Sequence, residues 1–366
     1  MAIDGMPLLY EYFLFLAQVV TLVIAVMIVV GFIASLSMRQ QGSSRGHLRV
    51  QKVNDRLREL RFALEGHVLT PKAAKQRQKD ELKRDKKRVK LADKDTQKPV
   101  AEKSAAEGAA HPEGDDDLGA RPRAFVLSFD GDTDASAVDF LRKEISAVLT
   151  LADTADEVIV CVESPGGVVH GYGLAASQLM RIRDQGIPLT VIVDKVAASG
   201  GYLMAAVANK ICAAPFAILG SIGVVAQIPN VHRLLKKNDV DVEVLTAGKY
   251  KRTLTLLGEN TEEGRQKFRE ELEDVHDLFK RFVVDNRPGL DLDTVATGEA
   301  WYGTRAIELN LVDELVTSDD YLARCCDVQD VYDVRWVEDK KPIERVLDKV
   351  SGVLSRMNRL LDLGEK

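Results

Sequence analysis

Two residues in this chain carry the chemistry of a nucleophile and its base. Ser199 lies in Val191-Ile-Val-Asp-Lys-Val-Ala-Ala-Ser-Gly-Gly-Tyr, and Lys251 lies in Thr246-Ala-Gly-Lys-Tyr-Lys-Arg-Thr. A serine hydroxyl is a weak nucleophile until a base takes its proton, and a lysine serves as that base when burial keeps its amine neutral. A free lysine titrates near ~10.4, so a base for about pH 8 needs a drop of roughly two units, on the order of 3 kcal/mol. Tyr250, Leu254, Leu256 and Leu257 are the neighbours able to supply apolar surroundings, and an inward Arg252 would add like-charge repulsion. Each residue also has a plainer reading. Ser199 fits a helix N-cap, and Lys249 to Arg252 fits a basic surface turn.

Two glycine turns bear on the choice. Glu163-Ser-Pro-Gly-Gly follows the β-branched run Val158 to Val162, and Ala197-Ala-Ser-Gly-Gly follows Leu189 to Val193. Glycines after a parallel strand let backbone approach a ligand closely, and their N–H groups can hold a developing negative charge. A serine at the start of the next helix also sits at its positive end, which favours an anionic intermediate. Both turns are expected to open on the same sheet edge.

These segments resemble a known family. Ser164-Pro-Gly-Gly, Ala198-Ser-Gly-Gly-Tyr and Leu219-Gly-Ser-Ile-Gly-Val-Val are similar to motifs of the S49 peptidases, the signal peptide peptidase A family, and most of all to its SohB branch of membrane-anchored serine peptidases. The resemblance spans about Arg123 to Val316. Gly298-Glu-Ala-Trp-Tyr-Gly-Thr-Arg-Ala through Leu311-Val-Asp-Glu-Leu is similar to a further family segment of structural character. The resemblance implies a ClpP/crotonase-like α/β fold and a Ser-Lys dyad. In that dyad Ser199 is the nucleophile and Lys251 the general base, with Lys249 a rival on sequence alone. It further implies that Ser221 orients the lysine amine, and that Gly166 or Gly167 with Gly200 forms the oxyanion hole. Family members can build the dyad across a subunit boundary, so one catalytic domain per chain implies a homo-oligomer. A ClpP-type histidine is missing from Ser221-Ile-Gly-Val-Val. Of His47, His67, His111, His170, His232 and His276, only His170 follows a glycine turn, where it reads as a bystander.

The elements that must position these residues alternate. Strands are expected at Ala124 to Phe129, Val158 to Val162 and Leu189 to Val193, and helices at Ala137 to Leu149, Gly173 to Ile182 and Gly201 to Ala208. That alternation is the signature of an α/β domain. With 366 residues and 46% hydrophobic content the chain has ample core, and a net charge of −6 offers no whole-chain attraction for nucleic acid. Cys161, Cys212, Cys325 and Cys326 show neither a disulfide framework nor a zinc spacing, and read as buried free thiols. No cluster has metal-ligand spacing, so no cofactor is predicted.

Residues 1–38 read as a membrane anchor, because about 24 uncharged, mainly apolar residues from Phe13 to Leu36 suffice to cross a bilayer. The basic flank Arg39, Arg45, Arg49 and Lys52 places the bulk of the chain in the cytoplasm of a bacterial inner-membrane protein, with the periplasm as the alternative. Residues 39–122 read as a juxtamembrane amphipathic helix from Val50 to about Leu69, packed or lying on anionic lipid, and a charged disordered linker from Pro71. Residues 123–320 form the catalytic domain. Residues 321–366 form an extension whose apolar stripe Ile343, Val346, Leu347, Val350, Leu354, Met357, Leu360 and Leu361 marks an amphipathic helix. The expectation is a membrane-anchored endopeptidase acting on peptides or membrane-associated polypeptides such as signal-peptide remnants. A crotonase-type acyl-CoA enzyme and a silent membrane scaffold are the alternatives.

Overall fold

The computed structural model describes residues 14–16, 18–21, 46–96 and 121–338, the side chains of residues 88–96 excepted. Leu48–Trp336 makes one compact unit. The other unit, Met1–His47 with Val337–Lys366, falls almost wholly outside the described residues, and so do most of the expected anchor and the whole C-terminal apolar stripe. Leu14–Leu16 and Gln18–Thr21 are helical, and among the described residues no helix is long and apolar enough to cross a membrane.

In chain order the elements are β1 (Gly46–Lys52), α1 (Val53–Val68), α2 (Pro71–Thr96), β2 (Arg123–Asp130), α3 (Val138–Val148), β3 (Glu157–Glu163), α4 (Val169–Asp184), β4 (Leu189–Val193) and β5 (Val196–Ala198). They continue with α5 (Gly200–Ala206), β6 (Lys210–Ala213), β7 (Ile218–Gly220), α6 (His232–Lys237), α7 (Glu262–Asn286), α8 (Leu292–Val295), β8 (Ala300–Tyr302), α9 (Gly303–Ala306), β9 (Glu314–Leu315), α10 (Ser318–Val328) and β10 (Asp330–Glu338). The expected α/β fold is present, and each strand and helix foreseen in residues 124–208 appears within a few residues of its place.

Seven strands form the main sheet in the order β1-β10-β2-β3-β4-β6-β9, and the pairs from β10 to β9 run parallel. Both faces of the sheet are covered, which is why β3 and β4 read as nearly unbroken apolar runs. Side chains alternate between the faces. Phe125, Leu127, Val158, Val160 and Val191 join the larger core with α3, α4 and α5. Ala124, Val126, Ile159, Ile192 and Cys212 face the other way, onto Val53, Cys325 and Tyr321. Each fully buried aliphatic side chain contributes about 1.5–3 kcal/mol. All four cysteines are free, and burial pushes the Cys161, Cys212 and Cys325 thiols up to about 12 and Cys326 to about 11, which keeps them protonated.

A second, three-stranded sheet leads into Ser199 and Ser221. β5 pairs in parallel with β7, which pairs antiparallel with β8. This sheet is stitched to the main one at the end of β3, where Ser164 bridges Ala197.

Three expectations need correction. The linker, expected to be disordered from Pro71, is helical over Pro71–Thr96, and its remainder, residues 97–120, lies outside the described residues. Its Lys, Arg, Glu, Gln and Ala residues are strong helix formers, and it packs on α1 through ion pairs of Arg58 with Asp85, Arg61 with Glu81 and Arg77 with Glu65. Counting apolar residues misses an order that propensity and charge pairing provide. The amphipathic helix begins at Val53, because Val50 and Lys52 belong to β1. Its first turn packs on the domain. Val53 is buried, and Asn54 donates to the carbonyls of Cys326 and Gln329 while accepting from the Val331 N–H. The extension from residue 321 does not stand apart, since α10 and β10 complete the core and β10 lies between β1 and β2. Val331 and Val334, three residues apart, face opposite sides of the sheet, one in each core, and the pairing with β2 is decided by long-range packing.

Candidate active site

Ser199 ends the β5 turn and opens α5. Its backbone is in the left-handed region, φ 51° and ψ −117°, a conformation that costs a non-glycine residue about 1–3 kcal/mol. Two hydrogen bonds hold it there: Ser199 N–H donates to the Gly220 carbonyl at 2.8 Å, and Leu203 N–H donates to the Ser199 carbonyl at 2.9 Å. The side chain does not cap the helix. It makes no hydrogen bond among the described residues and is half-buried, so the hydroxyl is free for chemistry.

Ser221 stands beside it for a topological reason. Ala198 and Gly220 are register partners across β5 and β7, so the next residue on each strand is a serine, and both have positive φ. Ser221 N–H donates to the Glu299 carbonyl at 2.7 Å, and its Oγ donates to the Gly298 carbonyl at 3.3 Å. The Gly298–Ala306 segment, read from sequence as structural, thus supports Ser221 directly.

The first glycine turn is drawn in by the same stitching. Ser164 N–H donates to the Val196 carbonyl at 2.8 Å, and Ala198 N–H donates to the Ser164 carbonyl at 3.0 Å. Gly166 has φ +89°, and a Cβ there would lie 2.7 Å from both the Ala198 oxygen and the Ser199 Cβ. Only glycine lets this turn meet the serine turn so closely. A Cβ on Gly167 would lie 2.0 Å from the Thr133 oxygen, and one on Gly200 would lie 2.3 Å from Tyr172 Cγ. The N–H groups of the three glycines differ. Gly166 donates to Ser164 Oγ at 3.1 Å, whereas Gly167 and Gly200 have no acceptor among the described residues.

Lys251 is placed differently. It follows a turn closed by its own N–H on the Gly248 carbonyl at 3.2 Å, and its side chain is exposed. Among the described residues no hydrogen bond or ion pair joins it to Ser199 or Ser221. Tyr250, Leu256 and Leu257, expected to bury it, are themselves exposed. Lys249 is engaged elsewhere. It pairs with Glu263 at 2.9 Å and lies 4.9 Å from the Tyr250 ring centroid. Tyr250 first, and Glu263 second, hold its ammonium well above the ordinary lysine range, which suits a fixed cation and not a base.

Histidine does not replace the lysine. His170 is exposed, and the His276 ring contacts the Ile222 carbonyl at 3.3 Å, one residue past Ser221. Among the described residues no group of three His, Cys, Asp or Glu side chains is placed to hold a metal ion. Sequence reasoning missed Tyr172, Asp132 and Glu299, which line or brace the turns. Tyr172 follows the first glycine turn closely in sequence, whereas Asp132 and Glu299 act through backbone carbonyls, which carry no side-chain signal.

Comparison with known proteins gives a family. The model of the peptidase family S49 N-terminal region matches residues 7–179, and that of peptidase family S49 matches residues 181–331. The Haemophilus influenzae "Probable protease SohB" is 47% identical over 342 residues, 92% of each chain. A "Probable protease SohB" of Buchnera aphidicola subsp. Acyrthosiphon pisum is 53% identical over 235 residues, 64% of this chain and 70% of its own. Among solved structures, a membrane-bound stomatin-specific protease aligns with 56% of this chain and 84% of its own, at 14% identity and a TM-score of 0.38.

Proposed function

This chain belongs to peptidase family S49, and from that premise we propose that it is a membrane-anchored serine endopeptidase working through a Ser199–Lys251 dyad. The observation that carries the reading is the free Ser199 hydroxyl, held in a strained turn against the first glycine turn, with the N–H groups of Gly167 and Gly200 without an acceptor among the described residues. Neutral Lys251 takes the Ser199 proton as Oγ bonds to the peptide carbonyl carbon. The two N–H groups stabilise the resulting oxyanion. The C–N bond breaks as the lysine ammonium returns its proton to the leaving amine, and water then cleaves the acyl-enzyme with lysine again the base. Ser221 orients the amine.

The lysine comes from a neighbouring copy in this proposal. Two facts support that arrangement: Lys251 is exposed and has no side-chain partner among the described residues, and the segment around it leaves Val225 85% and Leu245 88% exposed. Docking on a second copy would bury those side chains and remove the lysine from water, lowering its pKa as a base requires. Ser199→Ala and Lys251→Ala proteins are each expected to be inactive on a fluorogenic peptide, and mixed assemblies of the two should recover part of the activity. Activity in either single variant would end the dyad. Verified mixing without recovery would end the sharing.

The anchor is Phe13 to Leu36, with the catalytic unit on the cytoplasmic side of the inner membrane, where membrane-associated polypeptides and signal-peptide remnants are the substrates. Protease added to intact spheroplasts is expected to spare the catalytic unit, and its digestion would place the unit in the periplasm.

A further inference from the structure

The first glycine turn is held by a hydrogen-bond chain in which the chemistry of the ends assigns every proton. Tyr172 Oη lies 2.7 Å from the Asp132 carbonyl oxygen and 2.5 Å from Ser164 Oγ. A carbonyl only accepts, so the single phenolic proton goes to Asp132. Tyr172 must then accept from Ser164, whose one proton is thereby used. Ser164 Oγ keeps its lone pairs, and these accept the Gly166 N–H. The chain runs in one direction, from Gly166 through Ser164 and Tyr172 to the Asp132 carbonyl, and such a polarised series strengthens each member.

Both side-chain members are fully buried, so neither can touch substrate. A Cβ on Gly131 would lie 2.5 Å from Tyr172 Oη and 2.6 Å from Ser164 Oγ, which shows how tightly the pair is enclosed. Tyr172 also reaches the second turn, because its ring lies directly against the Gly200 backbone. One side chain therefore contacts both glycine turns: its hydroxyl acts on the first through Ser164, and its ring packs on the second.

We propose that Ser164 and Tyr172 are positioning residues that set the separation of the Gly167 and Gly200 N–H groups around the Ser199 oxyanion. By occupying the Gly166 N–H, Ser164 fixes the turn and leaves the next N–H, that of Gly167, to face the reaction. The proposal rests on Ser199 being the nucleophile. It predicts a defect in the transition state and not in substrate binding, since the oxyanion exists only after attack.

The test uses the full-length assembled protein, with kcat and KM on a fluorogenic peptide, the affinity for a peptide boronic acid, and the unfolding midpoint. A boronate bonded to Ser199 Oγ places a tetrahedral oxygen where the oxyanion forms. Tyr172→Phe deletes one oxygen and keeps the ring on Gly200. It should lower kcat about tenfold, leave KM within about twofold, and weaken the boronate by the same factor as kcat. Ser164→Ala, which frees the Gly166 N–H, should do at least as much. A lowered unfolding midpoint with wild-type kcat and boronate affinity in the folded fraction would overturn the proposal, as would a change confined to KM. If Ser164→Ala does not fold, Tyr172→Phe decides alone. Ser199→Ala measured alongside separates the two claims. Retained activity there removes the nucleophile itself. Its inactivity, with Tyr172→Phe at wild-type values, removes only the positioning role.

Discussion

Around Ser199 nearly every backbone group is paired or aimed at the site, while around Lys251 the chain is open to water. The serine turn is fixed by the Gly220 carbonyl, enclosed by Gly166 and Tyr172, and founded on strands buried on both faces. The lysine segment, between β7 and α7, has one short helix, exposed apolar side chains and few long-range hydrogen bonds. A nucleophile must be positioned to within fractions of an ångström, and a rigid scaffold inside one chain can do that. A lysine base must lose its water, and among the described residues of the single chain nothing displaces it. The contrast teaches that the two halves of the proposed dyad would depend on different levels of structure: the serine on the fold, the lysine on assembly.

Lys251→Ala tests this contrast most severely. It should cost at least about 10⁴-fold in kcat/KM while leaving the unfolding midpoint of the catalytic unit unchanged. A large loss of stability would mean that the lysine segment supports the fold after all. Gly166→Ala should do damage of the other kind. With φ +89° and a Cβ 2.7 Å from the Ser199 Cβ, it is expected to lose about 100-fold in kcat and about 2 kcal/mol in stability, read by turnover and denaturant titration. Leu245→Asp should leave the fold intact and weaken the assembly. Sedimentation should show smaller species, and specific activity should fall about tenfold on dilution. Unchanged sedimentation would remove this residue from any interface. Lys249→Met is expected to change kcat less than about threefold, because Tyr250 and Glu263 already hold that ammonium charged. A loss as large as that of Lys251→Ala would exchange their roles.

The smallest effect concerns the foundation of the sheet. Burial alone would raise the Asp156 carboxyl, but the Arg123 guanidinium at 2.6 Å and the N–H groups of Asp153 and Arg123 outweigh it and hold the group below its ordinary 3.8. A depressed folded value means that the stabilisation is complete well above pH 3.8 and is lost as pH falls through the lower folded value. Asp156→Asn should therefore flatten the acid limb of the stability profile below about pH 4, and leave the peptidase pH profile near neutrality as it was. A shifted activity profile would tie the sheet end to the dyad.

Much of this was legible in the residues themselves. The β-branched runs Val158 to Val162 and Leu189 to Val193 marked buried strands, and the glycines after them marked turns where only glycine fits. Helix α2 was not legible by apolar content, because its order comes from propensity and from charges on a neighbouring helix. Strand β10 was not legible as part of the catalytic unit, because its partner β2 lies some two hundred residues away in sequence. Tyr172 carries no sequence signal of its role, because its hydroxyl meets Ser164 and the Asp132 carbonyl only in the folded chain.

The sequence by itself determined the alternating elements, the glycine turns, the serine and lysine as candidate chemistry, and the family to which they belong. Those are local properties of spacing, chirality and side-chain type. The tertiary structure decided which residues meet. The parallel register of β5 and β7 set Ser199 beside Ser221, and the Ser164 bridge brought Gly166 against Ser199. It also decided that Lys251 stays in water within one chain, because desolvation is a property of everything packed around a group and not of its neighbours in sequence.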